Sequence, residues 1–308
     1  MMKYISGETN FEFHNSAVTL GKFDGLHLGH QHLISHITAS KKNGLTAIML
    51  SFVSPRLEES SEKEFELIYT EEEKVKKAQD CGVDVLISYP FTNEIKYMEP
   101  EDFIKDILVK QLDSKLIVVG SDFRFGFQRR GDVHYLRDFA KKYGFEVVVC
   151  EKRTWKEHII SSSTIRTELR LGHMEEANSM LGQPYTIQGE VLHGRKIGRT
   201  LGMPTTNILP RAYKLLPPNG VYASYTIIDG VSYAGVTNIG YKPTVGAEEQ
   251  KGVETYIFDF DGDLYGKIIE VQLITYERPE LKFGSLEELK SRMEEDITIT
   301  RAYFNLTQ

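Results

Sequence analysis

The sequence predicts an α/β chain in two parts. Residues 1–182 are expected to form a domain with a parallel sheet covered by helices on both sides, and residues 183–308 a small antiparallel β-barrel closed by a C-terminal helix. Three observations carry this reading. A length of 308 residues exceeds most single cores. Short apolar runs alternate with longer amphipathic segments in the first half, and strand-like runs separated by tight turns fill the second.

In order, AVTLGKF, LTAIMLSF, GVDVLISY, KLIVVG and FEVVVC are short and rich in Val, Ile, Leu and Phe, as buried strands are. Between them HQHLISHITASKK places Leu33, Ile34 and Ile37 on one helical face, and EPEDFIKDILVKQL does the same with Phe103, Ile107 and Leu108. TELRLGHMEEANSMLG reads as one or two short helices. From Tyr185 onward YTIQGEVLHG, GVYASYTII, VSYAGVTNIG, ETYIFDFD and KIIEVQLITYE are β-branched and aromatic. Asp229-Gly230 is a hairpin turn and Asp261-Gly262 a second candidate. Ser285 and Glu288 form a capping box for a last helix, with Leu286, Leu289 and Met293 expected to face inward. No internal repeat or low-complexity stretch is present.

Composition narrows the class. With 41% hydrophobic and 26% charged residues the chain can bury a sizeable core, and a net charge of −7 argues against a broad grip on nucleic acid or an anionic membrane. The start, MMKYISGETNFEFHNS, lacks the features of a signal peptide, and no apolar run approaches the roughly 20 residues of a membrane span. Cys81 and Cys150 form no CxxC pair, so a cytoplasmic location is expected.

Chemistry concentrates in a few stretches. GKFDGLHLGH, Gly21 to His30, follows a strand and opens a helix, so His27 and His30 are expected at a helix mouth above the carboxyl edge of the sheet. Free N–H groups and the helix dipole attract phosphate there, and imidazoles add donors. The pair is also compatible with a purely structural helix end. A metal cluster of His27, His30, His32 and His36 is disfavoured, because no Cys or carboxylate gathers around them in the sequence and i, i+2 pairs diverge on a helix.

ISSSTIR, Ile160 to Arg166, supplies hydroxyls and a guanidinium suited to phosphate, or else an N-cap. In VGSDFRFGFQRRGD, Phe123, Phe125 and Phe127 alternate as on a half-buried strand. GEVLHGRKIGRTLGMPTTN punctuates a basic loop with Gly194, Gly198 and Gly202 beside Arg195 and Arg199, a composition fit for polyphosphate or for a solvated hairpin. Glu254 reads as a polar residue on an alternating strand. Asp259, Asp261 and Asp263 read as a solvated turn, since the glycine is misplaced for an EF-hand.

Taken together these stretches, in this order and over nearly the whole chain, resemble the bacterial bifunctional riboflavin kinases and FAD synthetases. The resemblance implies a Rossmann-like nucleotidyltransferase domain followed by a riboflavin kinase-like barrel. It implies phosphorylation of riboflavin by ATP to give FMN in the barrel, and adenylylation of FMN by ATP to give FAD and pyrophosphate in the first domain. It assigns catalytic roles to His27, His30, Arg166 and Glu254, the last as general base. Nucleotide contacts are implied for Gly21, Phe23, Asp24, Gly25, Gly29, Ser161, Ser162, Ser163, Gly194, Arg195, Gly198, Arg199 and Gly202. Flavin contacts are implied for Asp122, Phe123, Phe125 and Gly126, and Mg²⁺ ligation for Thr205 and Asn207. Riboflavin, FMN and ATP are the implied partners, with no nucleic acid or membrane, and a homo-oligomer is left open.

The match departs from the family in three places. Ser163 stands where Thr is usual, Thr206 replaces Ala in the PTTN run, and SFVSPRL, Ser51 to Leu57, keeps Pro55 without a histidine. Two other readings therefore stand beside the bifunctional one: a kinase whose first domain no longer adenylylates, and a non-catalytic flavin or nucleotide sensor.

Overall fold

The computed structural model describes residues 2–54, 66–194, 197–242 and 250–306. They fall into two compact units, residues 1–65 with 71–162, and residues 66–70 with 163–308.

In the first unit the strands are β1 (Lys3–Ser6), β2 (Ser16–Gly21), β3 (Thr46–Val53), β4 (Val85–Pro90), β5 (Ser114–Gly120) and β6 (Glu146–Cys150). They form one parallel sheet in the order β1-β4-β3-β2-β5-β6. The helices are α1 (Leu28–Ala39), α2 (Glu71–Asp80), α3 (Asn93–Tyr97), α4 (Pro100–Asp102) and α5 (Val133–Tyr143). Period-two alternation splits the strands between two cores. Val18, Leu20, Ile48, Leu50, Ile117 and Val119 pack with Phe103, Ile107 and Leu108, while Ala17, Ala47, Met49, Leu86 and Val118 pack with Leu33, Ile34 and Ile37 of α1. Because the chain runs from β2 outward to β4 and returns on the other side at β5, the order reverses between β2 and β5. Open α/β sheets bind ligands at such a reversal, beyond the strand carboxyl ends.

One expectation is corrected here. The EPEDFIKDILVKQL segment is helical, but after α4 it continues as a π-helix over Phe103–Gln111, in which the Leu112 N–H reaches back to the Ile107 carbonyl at 3.0 Å. The wider turn brings Phe103, Ile104, Ile107 and Leu108 all to the core. DFRFGF, whose alternation also allowed a strand and turn, is a loop, as the resemblance implies, closed by two backbone bonds between Phe125 and Gly131 of 2.9 and 3.0 Å. Downstream lies a short hairpin, β7 (Thr154–Trp155) with β8 (His158–Ile159).

The second unit begins with α6 (Ser162–Leu171), whose first residue closes the first unit, and α7 (Met174–Leu181). Six antiparallel strands follow: β9 (Tyr185–Glu190), β10 (Thr205–Ile208), β11 (Gly220–Ile228), β12 (Val231–Lys242), β13 (Gln250–Ile257) and β14 (Ile268–Pro279), with α8 (Ile197–Thr200) before β10. Their order is β10-β13-β12-β11-β14-β9, and the sheet curls until its edges meet at a Val191–Ile208 bridge. α7 lies on β9 and β14, so these two helices, read with the first half of the sequence, pack with the second unit.

Residues 66–70 join this unit through Lys214. Leu67 bridges Lys214, and the Lys214 ammonium, 3% exposed, donates to the Ile68 and Thr186 carbonyls at 2.7 Å each. The same ammonium sits 4.9 Å and 4.4 Å from the ring centres of Tyr69 and Tyr185, a cation–π arrangement that compensates burial of the charge.

α9 (Leu286–Tyr303) closes the chain. Its cap forms as read, the Ser285 hydroxyl accepting from the Glu288 N–H at 3.1 Å, while the Glu288 carboxylate takes the Gly284 N–H at 2.8 Å. Leu286, expected inside, is exposed, and the buried residues of this helix are Asp296 and Thr300.

Candidate active sites

The first site is built on the turn from β2 into α1. After Gly21 the backbone takes positive φ at Phe23, Gly25 and Leu26, which folds the turn tightly enough to bury Phe23, Asp24 and Leu26 beneath it. His27 caps α1, its Nδ1 accepting the His30 N–H at 3.4 Å. The two rings stack at 3.7 Å between centres, and Phe23 meets His30 edge-on at 5.1 Å. Gly29 permits the stack, since a Cβ there would lie 3.1 Å from the His27 ring.

Desolvation lowers the His27 pKa from 6.5 to about 4, against a smaller opposing hydrogen-bond effect. His30 is held well below its ordinary value by burial, by His27 and by the charge of Lys74. Both imidazoles are therefore neutral at pH 7, and an arriving polyphosphate would raise both. Ser162, from ISSSTIR, donates to the Asp24 carbonyl at 2.8 Å, tying that stretch to the GKFDGLHLGH turn.

Sequence reasoning missed Lys74 and Ser51. The Lys74 ammonium, 3% exposed, bonds Glu71 at 2.5 Å and Ser51 at 3.2 Å, and Ser51 in turn donates to the Lys22 carbonyl. A lysine inside EEEKVKK carries no signal that separates it from its solvated neighbours.

Other motif residues are less gathered. Ser161 sits just before α6, while Ser163 and Arg166 belong to the second unit, where the Arg166 Nε donates to the Glu66 carbonyl at 3.4 Å. Asp122 pairs with Lys152 at 2.8 Å. Phe125 is a core residue, 6% exposed, with the half-buried Phe123 ring stacked 5.5 Å away, and Gly126 follows at φ +70° against Pro100. The SFVSPRL segment is described only as far as Ser54.

The second site is a cavity of about 620 Å³, within the range of roughly 300–1,000 Å³ usual for small-molecule sites. It lies between the outer face of the curled sheet and α9. Strand register explains its lining. Glu254 on β13 is flanked by Asn207 on β10 and Asn238 on β12, and the same row continues to Val221 and Arg278. Residues in one row share a face, and all five line the cavity. Thr205 and Tyr256 pair two residues along and line it too. The Thr205 hydroxyl donates to Glu254 Oε1 at 2.5 Å, fixing the carboxylate.

On the opposite face Ser224, Thr237 and Thr255 form a buried hydroxyl ladder at 2.7 and 2.8 Å, and the Thr206 hydroxyl donates to the Thr255 backbone carbonyl at 3.3 Å. Thr206, alternating with Thr205 and Asn207 along β10, is absent from the cavity lining. Gly194 and Gly198 line the cavity; a Cβ on Gly194 would strike the Asn207 carboxamide at 2.6 Å. Arg199 is exposed on α8 and Gly202 lies in the turn after it, neither among the described lining residues, while Arg195 lies outside the described residues.

The far wall comes from α9. Arg278 makes a bidentate pair with Asp296 at 2.8 and 2.5 Å, and Leu289, Met293 and Ile297 face the cavity. Asn238, Arg278 and Asp296 were not legible as site residues, because only the register brings them beside Glu254.

Thr205, Asn207 and Glu254 offer hydroxyl, carboxamide and carboxylate oxygens. Such a donor set fits a hard cation of the Mg²⁺ type, and because the Thr205 proton is given to Glu254, its lone pairs remain for a cation.

Comparisons with known proteins agree with this division. The FAD synthetase family matches residues 10–164 and the riboflavin kinase family residues 181–304. The chain is 39% identical to the bifunctional riboflavin kinase/FMN adenylyltransferase of Buchnera aphidicola subsp. Acyrthosiphon pisum over 99% of both proteins, and 35% identical to that of Escherichia coli K12 over 100% of this chain and 99% of that one. A crystal structure from Streptococcus pneumoniae, described as a macrolide-efflux protein, superposes with a TM-score of 0.85 at 28% identity, covering 97% of this chain and 99% of that one. Among the described residues no helix is long and apolar enough to cross a membrane. With both halves matched in order and full-length relatives sharing more than a third of their residues, the chain belongs to the family of bifunctional riboflavin kinases/FMN adenylyltransferases.

Proposed function

We propose that the cavity against α9 is where riboflavin is phosphorylated, and that the β2–α1 turn is where FMN receives its adenylyl group. The observation that carries the first assignment is the row Asn207, Glu254, Asn238 on the cavity wall, with Thr205 bonded to Glu254.

In this reading Glu254 accepts the proton of the riboflavin 5′-hydroxyl as the oxygen attacks the γ-phosphorus of ATP, and ADP departs. Thr205 orients the carboxylate. Thr205 and Asn207 would hold Mg²⁺, which when bound neutralises charge on the phosphates. Leu289, Met293 and Ile297 keep water from the flavin side. In the first unit the FMN phosphate attacks the α-phosphorus of a second ATP and pyrophosphate leaves. A phosphate nucleophile is already anionic, so this site needs donors more than a base. His27 and His30 supply neutral N–H donors, Ser162 fixes the turn, and Lys74 adds a buried cation. Arg166 is assigned on its motif. Both sites act in the cytoplasm in this reading, consistent with two cysteines that are free thiols.

Chromatographic separation of riboflavin, FMN and FAD after incubation with ATP and Mg²⁺ tests the assignment. The double variant His27→Ala/His30→Ala should stop at FMN. Glu254→Gln should leave riboflavin unphosphorylated, by about 10²-fold or more, yet convert supplied FMN to FAD. Loss of both activities in either folded variant would sink the division of labour.

A further inference from the structure

The histidines around α1 fall into two pairs. His27 and His30 face the phosphate turn; His32 and His36 do not, and neither reaction uses them. One helical turn apart, His32 and His36 present their rings on one face, with centres 4.9 Å apart. The fold brings to them what the sequence kept distant. Cys150, the last residue of β6 and 6% exposed, packs in the same apolar cluster as Leu33, Ile34 and Ile37. One nitrogen from each histidine and the Cys150 sulfur lie within 4.8 Å of one another.

We propose that His32, His36 and Cys150 form a binding site for a divalent transition-metal ion of the Zn²⁺ class, with water completing a tetrahedron. Two imidazoles and a thiolate select a borderline or soft ion over Mg²⁺, so this site is chemically distinct from the oxygen-lined one. The thiol proton leaves to solvent as the sulfur coordinates. With metal–ligand bonds of about 2.0–2.3 Å, tetrahedral ligands lie about 3.3–3.6 Å apart, so atoms now within 4.8 Å of one another need to close by up to about 1.5 Å, within reach of side-chain rotation.

The supports are rigid. β6 pairs with β5, the Cys150 carbonyl accepts the Ser121 N–H at 2.9 Å, and α1 is packed on β2, β3 and β5. An ion here would staple α1, the helix capped by His27, to strand β6.

One group opposes binding. The Arg153 guanidinium lies 3.2 Å from His32 Nδ1, bringing positive charge beside the ligands. Arg153 is exposed at the foot of the β7–β8 hairpin, and the ion displaces it. Removing it should therefore tighten binding.

Co²⁺ titration of the chelator-treated full-length protein tests the site. One equivalent of Co²⁺ should produce tetrahedral d–d absorption with a thiolate-to-cobalt charge-transfer band, reversed by Zn²⁺. Mg²⁺-type oxygen sites give no such band. Cys150→Ser should abolish it, His36→Asn should weaken binding at least about tenfold, and Arg153→Ala should strengthen it severalfold, with circular dichroism confirming each fold. Absence of the band in the native chain overturns the proposal. So does a band that survives Cys150→Ser, which would place the metal at Cys81.

Discussion

Desolvation at His27 has a consequence for stability. Unfolded, this imidazole takes a proton near pH 6.5; folded, only near 4. Between those values the unfolded chain binds the extra proton, so the contribution is complete above 6.5 and is lost as pH falls toward 4. The native protein should therefore lose roughly 2 kcal/mol of stability between pH 7 and pH 5 from His27, and His30 acts with the same sign. Urea midpoints measured at both pH values check this, and His27→Gln should flatten the difference. A midpoint that does not move in the native protein would mean that the pair is hydrated. The residue scale is also where sequence reading was uneven. His27 and Gly29 could be placed from the strand-to-helix turn they occupy, whereas Thr205 and Asn207 were picked out only through the family resemblance. Lys74 and Asn238 were not legible, since one is a charged residue among charged residues and the other a polar residue on an alternating strand.

At the scale of elements, α9 has a dual role. Its core-facing residues are a carboxylate and a hydroxyl, Asp296 and Thr300, which anchor it to Arg278 and Glu277, while Leu289 and Met293 are left to line the cavity. Of the apolar stripe read from the sequence, Leu289 and Met293 line the cavity instead of filling a core, and Leu286 is exposed. Asp296 is 3% exposed and also meets Arg292 at 3.1 Å, so Asp296→Asn takes the bidentate carboxylate partner from Arg278 and one of two carboxylates from Arg292. The expected loss is about 3–5 kcal/mol in urea unfolding, with a raised KM for riboflavin as the wall loosens. Unchanged stability would show the pair to be dispensable. Strand β10 was read as the end of a loop for a related reason: PTTNI is short and polar, and only pairing with β13 makes it a strand. The π-helix likewise leaves no mark in a pattern that an α-helix satisfies equally well.

For the molecule as a whole, two alternating rhythms sufficed to predict two units and their order, because strand-helix and strand-turn periodicities differ along the entire chain. What they could not show is that residues 66–70 cross from one half of the sequence to the other unit. Ile68 and Tyr69 are fully buried there, and the Ile68 carbonyl is one of two holding the Lys214 ammonium. A fragment of residues 163–308 should accordingly be less stable than the same unit in the intact chain, by about 3 kcal/mol or more. Adding a peptide of residues 66–70 should recover part of that loss in a thermal melt; a fragment as stable as its parent would deny these residues any energetic weight. The crossing also sets an order of events at the ribosome. The segment that pairs beside Tyr213–Leu215 emerges long before them, so the second unit finishes folding only by recapturing chain made earlier. A gene divided between the two activities would leave that segment on the wrong product.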